Sequence, residues 1–313
     1  LERADDAVAA TLALRYAQAN GTEAVTILNN AAAAREISYA FSARTRLGAA
    51  VIRSIENLTG RPRLIRMAQG YDAEVAAGRD FWSVMAERYR LRMTVTEADI
   101  ARIPREGPLV VVANHPFGIL DGLALGRILS MARGDFRIVA HQVFHRAPDL
   151  RRMILPIDFS ETRAAQAVNL ETRKTAMAYL GQGGCIGIFP GGTVSTGRTW
   201  RSPALDPAWR TFTAKMAGRP GVAVLPIHFD GQNSRLFQIA SHLSPTLRVA
   251  LLIKEFGRRL DDELRVTIGA PLPAEEVAAR RGDPRALMDW LRAETYRLSP
   301  TPLADAGYGH DFG

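Results

Sequence analysis

The chain reads as an α/β protein, with a mixed, mostly parallel central sheet flanked by helices and an N-terminal helical region ahead of it. Three observations predict this. Apolar runs of strand length recur at residues 109–113, 136–140, 186–189 and 221–228, bounded by Gly, Pro, Asn or Asp. Helical periodicity fills stretches between them, so strand, helix and strand follow one another through the middle of the chain. Hydrophobic residues make up 47% of the 313, enough for one large core. The expected organisation is a helical, possible membrane-contacting region over 1–105, an α/β domain over 106–298 and a mobile Pro-, Gly- and Asp-rich tail over 299–313.

Residues 1–105 carry Ala-rich and Arg-rich helical patterns, broken at Asn20-Gly21 and at Thr59-Gly60-Arg61-Pro62. Between residues 39 and 66, Leu47, Val51, Ile52, Ile55, Leu58 and Leu64 interleave with Arg46, Arg53, Arg61, Arg63 and Arg66. Such a face suits contact with anionic lipid. A helical layer packed on the α/β domain, its arginines in water, has the same pattern. Residues 81–90 continue as a helix, and 93–95 read as a short first strand.

Residues 109–113 are apolar and Val-rich throughout, as in a strand buried on both faces. Asn114 and His115 end the run, Pro116 and Gly118 turn the chain, and Asp121 opens a helix with Leu125, Ile128, Leu129 and Ala132 on one face. A histidine at the carboxyl end of a central strand stands where open α/β sheets hold their ligands. With Asp121 six residues on, it suits a general base held in one tautomer by an acid. A helix-capping Asp121 beside an ordinary strand-end histidine would have the same sequence.

A core strand follows at 136–140. His141 and His145 come next at helical spacing, but no third ligand lies nearby, so a loop or pocket-wall role is expected rather than a metal site. Residues 154–159 read as a short strand, 165–180 as a helix stopped by Gly181, and 186–189 as a strand delivering Pro190, Gly191, Gly192, Thr193, Val194 and Ser195. A tight turn there exposes backbone N–H groups in a concave nest, suited to a developing oxyanion or an anionic headgroup. Residues 197–210 read as a basic loop, 209–216 as a helix, and 221–228 as a strand ending in Pro226, Ile227 and His228. His228 could line an acceptor pocket or stand as a hydrogen-bonded wall residue. Strands are expected at 247–253 and 264–268, and closing helices at 273–281 and 283–298.

Forty Lys and Arg against 32 Asp and Glu leave a net charge of +8. A bilayer surface, acyl carrier protein or nucleic acid would each complement it, as would plain solvation of an arginine-rich face. The arginines are spread over helices without an aromatic platform, which argues against nucleic acid. The single cysteine, Cys185, excludes an internal disulfide and a cysteine-based metal cluster, and its place in a strand makes it a core residue. There is no run of 18 apolar residues, and no charged start followed by an apolar core. The expectation is a cytoplasmic protein touching the cytoplasmic face of the inner membrane from one side.

The pair His115 and Asp121 resembles the first signature of the lysophospholipid and glycerol-phosphate acyltransferase superfamily, in which four residues separate the two. Here five do. That longer spacing, as Asn114-His115-Pro116 with Asp121-Gly122, is similar to the hemolysin-like branch that includes lyso-ornithine-lipid O-acyltransferases. Residues 154–159 match the second block in position. Phe189-Pro190-Gly191-Gly192-Thr193-Val194-Ser195 resembles the third, Phe-Pro-Glu-Gly-Thr-Arg-Ser, and Leu225-Pro226 resembles the fourth, a strand ending in proline. The stretch from Ser54 to Arg66 resembles the segment upstream of the catalytic domain, so the likeness covers roughly residues 54–270.

The resemblance implies a glycerol-phosphate acyltransferase-like fold and an O-acyltransferase with His115 as general base, oriented by Asp121. The acyl donor would be a thioester of acyl carrier protein or coenzyme A, with no bound cofactor or metal. Asn114, Phe117, Gly118, Phe159, Phe189, Pro190, Gly191, Gly192, Thr193 and His228 would contact substrate. Three departures bear on the acceptor: Phe159 and Val194 stand where many phosphate-reading members carry arginine, and Gly191 where they carry glutamate. A glycerol-phosphate headgroup would lose charge-assisted contacts, so a lyso-aminolipid of the lyso-ornithine type is the expected acceptor, unless Arg198, Arg201 or Lys215 reads phosphate from another direction. The alternatives are a lysophospholipid acyltransferase, a thioesterase using the same pair on water, and a non-catalytic membrane-binding protein. The lack of a Gly-x-Ser-x-Gly elbow argues against a serine hydrolase.

Overall fold

The computed structural model describes residues 38–40, 43, 45–141, 144, 148–158, 162–301, 303 and 307–312. Ahead of the sheet come α1 (Arg46–Thr59), α2 (Arg61–Ala68), α3 (Tyr71–Ala76), α4 (Phe81–Arg88), β1 (Arg92–Met93) and α5 (Glu97–Ile100). The centre is β2 (Leu109–Ala113), α6 (Ile119–Ala132), β3 (Arg137–His141), β4 (Ile154–Ile157), α7 (Arg163–Gly181) and β5 (Cys185–Ile188). A hairpin, β6 (Thr196–Gly197) and β7 (Ala204–Leu205), leads to α8 (Ala214–Ala217) and β8 (Ala223–Phe229). After these come α9 (Arg235–Leu243), α10 (Pro245–Arg259), β9 (Glu263–Leu264), β10 (Val266–Ile268), α11 (Ala274–Arg280) and α12 (Pro284–Arg297).

Six strands form the main sheet in the order β10-β8-β2-β5-β3-β4. Every neighbouring pair is parallel except β10 with β8, so the mixed, mostly parallel architecture holds. β2 lies between β5 and β8 with all five residues at 0% exposure. Its side chains alternate: Leu109, Val111 and Ala113 enter one core with α6, while Val110 and Val112 enter the other with α7 and α12. The first core also takes Leu64, Tyr71 and Trp82 from the N-terminal helices. Those helices therefore share the sheet's interior. α1 packs against α10, burying Ile52 while Leu47 and Leu58 stay exposed.

Four expectations need correction. Residues 247–253 are not a strand but part of α10, whose Ser244 side chain accepts the Leu247 N–H and whose Pro245 occupies the first turn. A short apolar run looks the same in either state; here Arg248, Leu252, Glu255 and Phe256 are buried at helical spacing. The helix foreseen at 209–216 shrinks to α8, because Trp209 is drawn into the core by a side-chain hydrogen bond. The basic loop contains most of the β6–β7 hairpin, and α9, which comes after β8, is not foreseen. Finally, part of the tail expected to be mobile is docked: Gly309 N–H donates to Asp206 O, and His310 N–H to Thr196 O.

Candidate active site

β2 delivers His115 just past its end, and the turn that follows brings Asp121 back to it. Gly118 makes that turn possible, with φ +86° and only 3.2 Å between an added β-carbon and Val194 Cγ2. Asp121, fully buried, sits in the first turn of α6, where the helix dipole favours a carboxylate. Its Oδ2 accepts the Phe117 N–H at 2.8 Å and the Gly118 N–H at 2.9 Å, and lies 3.0 Å from His115 Nδ1. Asp121 thus caps the helix and faces the histidine at the same time. The 3.0 Å approach turns the ring toward the carboxylate, at an angle short of a straight hydrogen bond. Burial pushes the Asp121 carboxyl above its usual range, while His115 and the two backbone N–H groups pull it down.

The imidazole stacks on Phe189 with centroids 4.2 Å apart and planes 25° from parallel. Nδ1 is buried, and the ring borders a cavity of about 1110 Å³, slightly beyond the ~300–1,000 Å³ of ordinary ligand pockets. Nε2 is therefore the atom free to meet a substrate. Trp82, Met85, Leu123, Ile138, Ile154 and Phe256 make an apolar wall, and Arg53, Arg173, Arg210 and Arg248 supply its positive charge.

Of the residues expected to contact substrate, Gly118, Phe189, Pro190, Gly192 and Thr193 line this cavity together with His115. The others do not. Asn114 bridges strand ends, its side chain donating to Phe229 O and accepting the Phe229 N–H. Phe117 lies under the Arg259 guanidinium, whose Cζ is 4.6 Å from the ring centroid, and Gly191 abuts Asp206. Phe159 falls outside the described residues. The Gly192 N–H closes the turn onto Phe189 O, so that member of the expected nest is already used. Arg198, Arg201 and Lys215 are not on the cavity wall. Arg248, concealed within what reads as a strand, is: its guanidinium donates to Thr193 Oγ1, Val194 O, Thr196 Oγ1 and Ser241 Oγ. Burial lowers its pKa to about 9. Cys185 is a core residue of β5, and burial pushes its thiol up to about 12. Among the described residues, no cluster of three His, Cys, Asp or Glu could hold a metal ion.

His228 packs instead beside α12, 5.7 Å from the Tyr296 ring, and is 4% exposed. Burial lowers its pKa to about 4, against upward pulls from Asp230 and Asp206. The folded chain keeps it neutral while the unfolded chain takes up a proton below about pH 6.5. Its contribution to stability is therefore full above pH 6.5 and is lost as pH falls toward 4, by up to about 3 kcal/mol. Urea unfolding across this range should show that slope in the parent chain, and a flatter one in His228→Gln.

A strand-end imidazole and a buried acid thus border one largely apolar cavity. The family described as Acyltransferase matches residues 77–307, so the chain belongs to that family and is an acyltransferase. Two curated proteins, each named lyso-glycine lipid O-acyltransferase, are similar to it. The one from Phocaeicola vulgatus is 25% identical over 210 residues, covering 64% of this chain and 72% of the relative. The one from Bacteroides thetaiotaomicron is 27% identical over 184 residues, covering 56% and 64%. Among solved structures, the 1-acyl-sn-glycerophosphate acyltransferase PlsC from Thermotoga maritima aligns over 84% of this chain and 87% of its own, at 15% identity and a TM-score of 0.40.

Proposed function

We propose that the chain moves a fatty acyl group from an acyl thioester, of acyl carrier protein or coenzyme A, to the free hydroxyl of a lyso-aminolipid, an amino acid amide-linked to a 3-hydroxy fatty acid. The observation that carries this reading is the His115–Asp121 pair opening on a largely apolar cavity with arginines on its wall. The acceptor hydroxyl attacks the thioester carbonyl while His115 Nε2 takes its proton. The tetrahedral intermediate then collapses, breaking the carbon–sulfur bond, and the departing thiolate takes the proton from the imidazolium. Asp121 holds the ring and offsets its transient charge. No nucleophilic side chain is required.

The acceptor's amino-acid carboxylate would meet the arginine-bearing wall. The names of the two relatives support an aminolipid with a glycine headgroup. The ornithine headgroup expected from the sequence would bring an additional ammonium against Arg53, Arg173, Arg210 and Arg248, with Asp158 the one carboxylate among the described lining residues. Glycine is therefore favoured. Two apolar stripes, Leu47, Val51 and Leu58 on α1 and Leu236, Ile239 and Leu243 on α9, are exposed, the first on a helix that also carries Arg46 and Arg53. They suit peripheral contact with an anionic leaflet on its cytoplasmic side. No described helix is long and apolar enough to cross a membrane.

The test is product analysis by mass spectrometry with an acyl thioester donor and four acceptor conditions: N-(3-hydroxyacyl)glycine, its ornithine counterpart, lysophosphatidate, or none. The expected result is the diacylated glycine lipid, with thiol release that depends on acceptor. Higher kcat/KM with lysophosphatidate would overturn the acceptor assignment. Thiol release without acceptor would indicate a thioesterase, and no release under any condition a non-catalytic protein.

A further inference from the structure

Asp206 is at 0% exposure immediately after β7, and three segments converge on its carboxylate. Oδ1 accepts the His115 backbone N–H at 3.1 Å and the Ser195 hydroxyl, and Oδ2 accepts the Trp209 Nε1–H at 2.8 Å. Ser195 closes the ring by donating its own N–H to His115 O at 2.8 Å. Both backbone groups of His115 are thereby tied, directly or through Ser195, to one buried carboxylate. The main chain of Asp206 is anchored as well: its N–H donates to Tyr296 Oη at 2.7 Å, and its carbonyl accepts from Arg292 at 2.9 Å.

The neighbour of that carboxylate is Gly191, the position where the third block otherwise carries glutamate. A β-carbon built on Gly191 would lie 3.3 Å from both Cγ and Oδ2 of Asp206. The backbone of Gly191 does not have a positive φ, so the obstacle to a side chain there is the tight contact with Asp206 and not the backbone conformation. We infer that Asp206 supplies, from the hairpin, the carboxylate that Gly191 lacks, and that it is the positioning residue holding His115 and the 190–195 loop in register. The inference rests on His115 being the base.

A double-substitution cycle tests it. Asp206→Ala leaves three donors, the His115 N–H, the Ser195 hydroxyl and the Trp209 indole, without their acceptor, and a displacement of about 1 Å at a catalytic group costs about 10²-fold in rate. The expected result for Asp206→Ala is a kcat lower by that order, with KM for donor and acceptor within about twofold. Gly191→Glu alone should also impair the enzyme, because its side chain meets Asp206. In the Gly191→Glu/Asp206→Ala pair the glutamate enters vacated space, and kcat should rise above that of Asp206→Ala. Should Asp206→Ala fail to fold, recovery of folded, active protein in the pair is the expected result. An unchanged kcat in Asp206→Ala, a loss confined to KM, or no recovery of fold or kcat in the pair would each overturn the inference. His115→Ala run alongside separates the two readings: if it retains activity, the base assignment fails, whereas its loss beside an unaffected Asp206→Ala sinks only the positioning role.

Discussion

His115→Ala is expected to lower the acyl-transfer rate by ~10²–10⁴-fold, the usual contribution of a positioned general base. The imidazole is held by stacking on Phe189 and by its approach to Asp121, and its side chain is 19% exposed. Its removal empties a place on the cavity wall without opening the core, so the melting temperature should move little. Initial rates of thiol release with donor and lyso-aminolipid, read beside a thermal melt of the same preparation, check both halves. A folded variant within a few-fold of the parent rate would mean that another group takes the proton.

Asp121→Asn is expected to separate activity from stability. The amide keeps the size of the carboxylate, and its oxygen can still accept the Phe117 and Gly118 N–H groups. It carries no charge to offset an imidazolium and does not enforce the productive tautomer, a loss that costs about 10⁴-fold in hydrolase triads. Stability should respond in the other direction. Burial dominates at Asp121 and raises its pKa, so the ionised form is disfavoured in the folded chain relative to the unfolded one. For an acid with a raised folded pKa, the stabilising contribution is present at low pH and is lost as pH rises through that pKa. The asparagine carries no such penalty. At pH 8 the variant should therefore melt no lower than the parent while having lost most of its kcat, which pairs a functional site with its stability cost. A large drop in melting temperature would show that the carboxylate is chiefly structural.

Much of the centre was legible in sequence because its signals are local. Five consecutive apolar residues can be covered on both faces in a parallel sheet only by being central, so 109–113 located β2, and the Pro116–Gly118 turn located the reversal that returns Asp121 to His115. Residues 247–253 failed for the complementary reason: a short apolar run is ambiguous in period, and the Ser244-Pro245 start that decides for helix lies outside the run. His228 was misplaced toward the cavity because strand alternation does not reveal which face holds the ligand until the packed helices are known.

The roles of Asp206 and Arg248 could not have been found by the same means. One lies 91 residues from the His115 N–H it accepts, and the other 55 residues from Thr193, with no periodicity or spacing linking either pair. What the order of residues determined by itself was the neighbourhood of a histidine and an acid at a strand's end, because a turn and a helix start are short-range chemistry. Which buried carboxylate accepts the His115 N–H, and which arginines line the cavity beside it, was decided when hairpin, loop and α10 packed together, because hydrogen bonds across a core depend on distances that chain order does not encode.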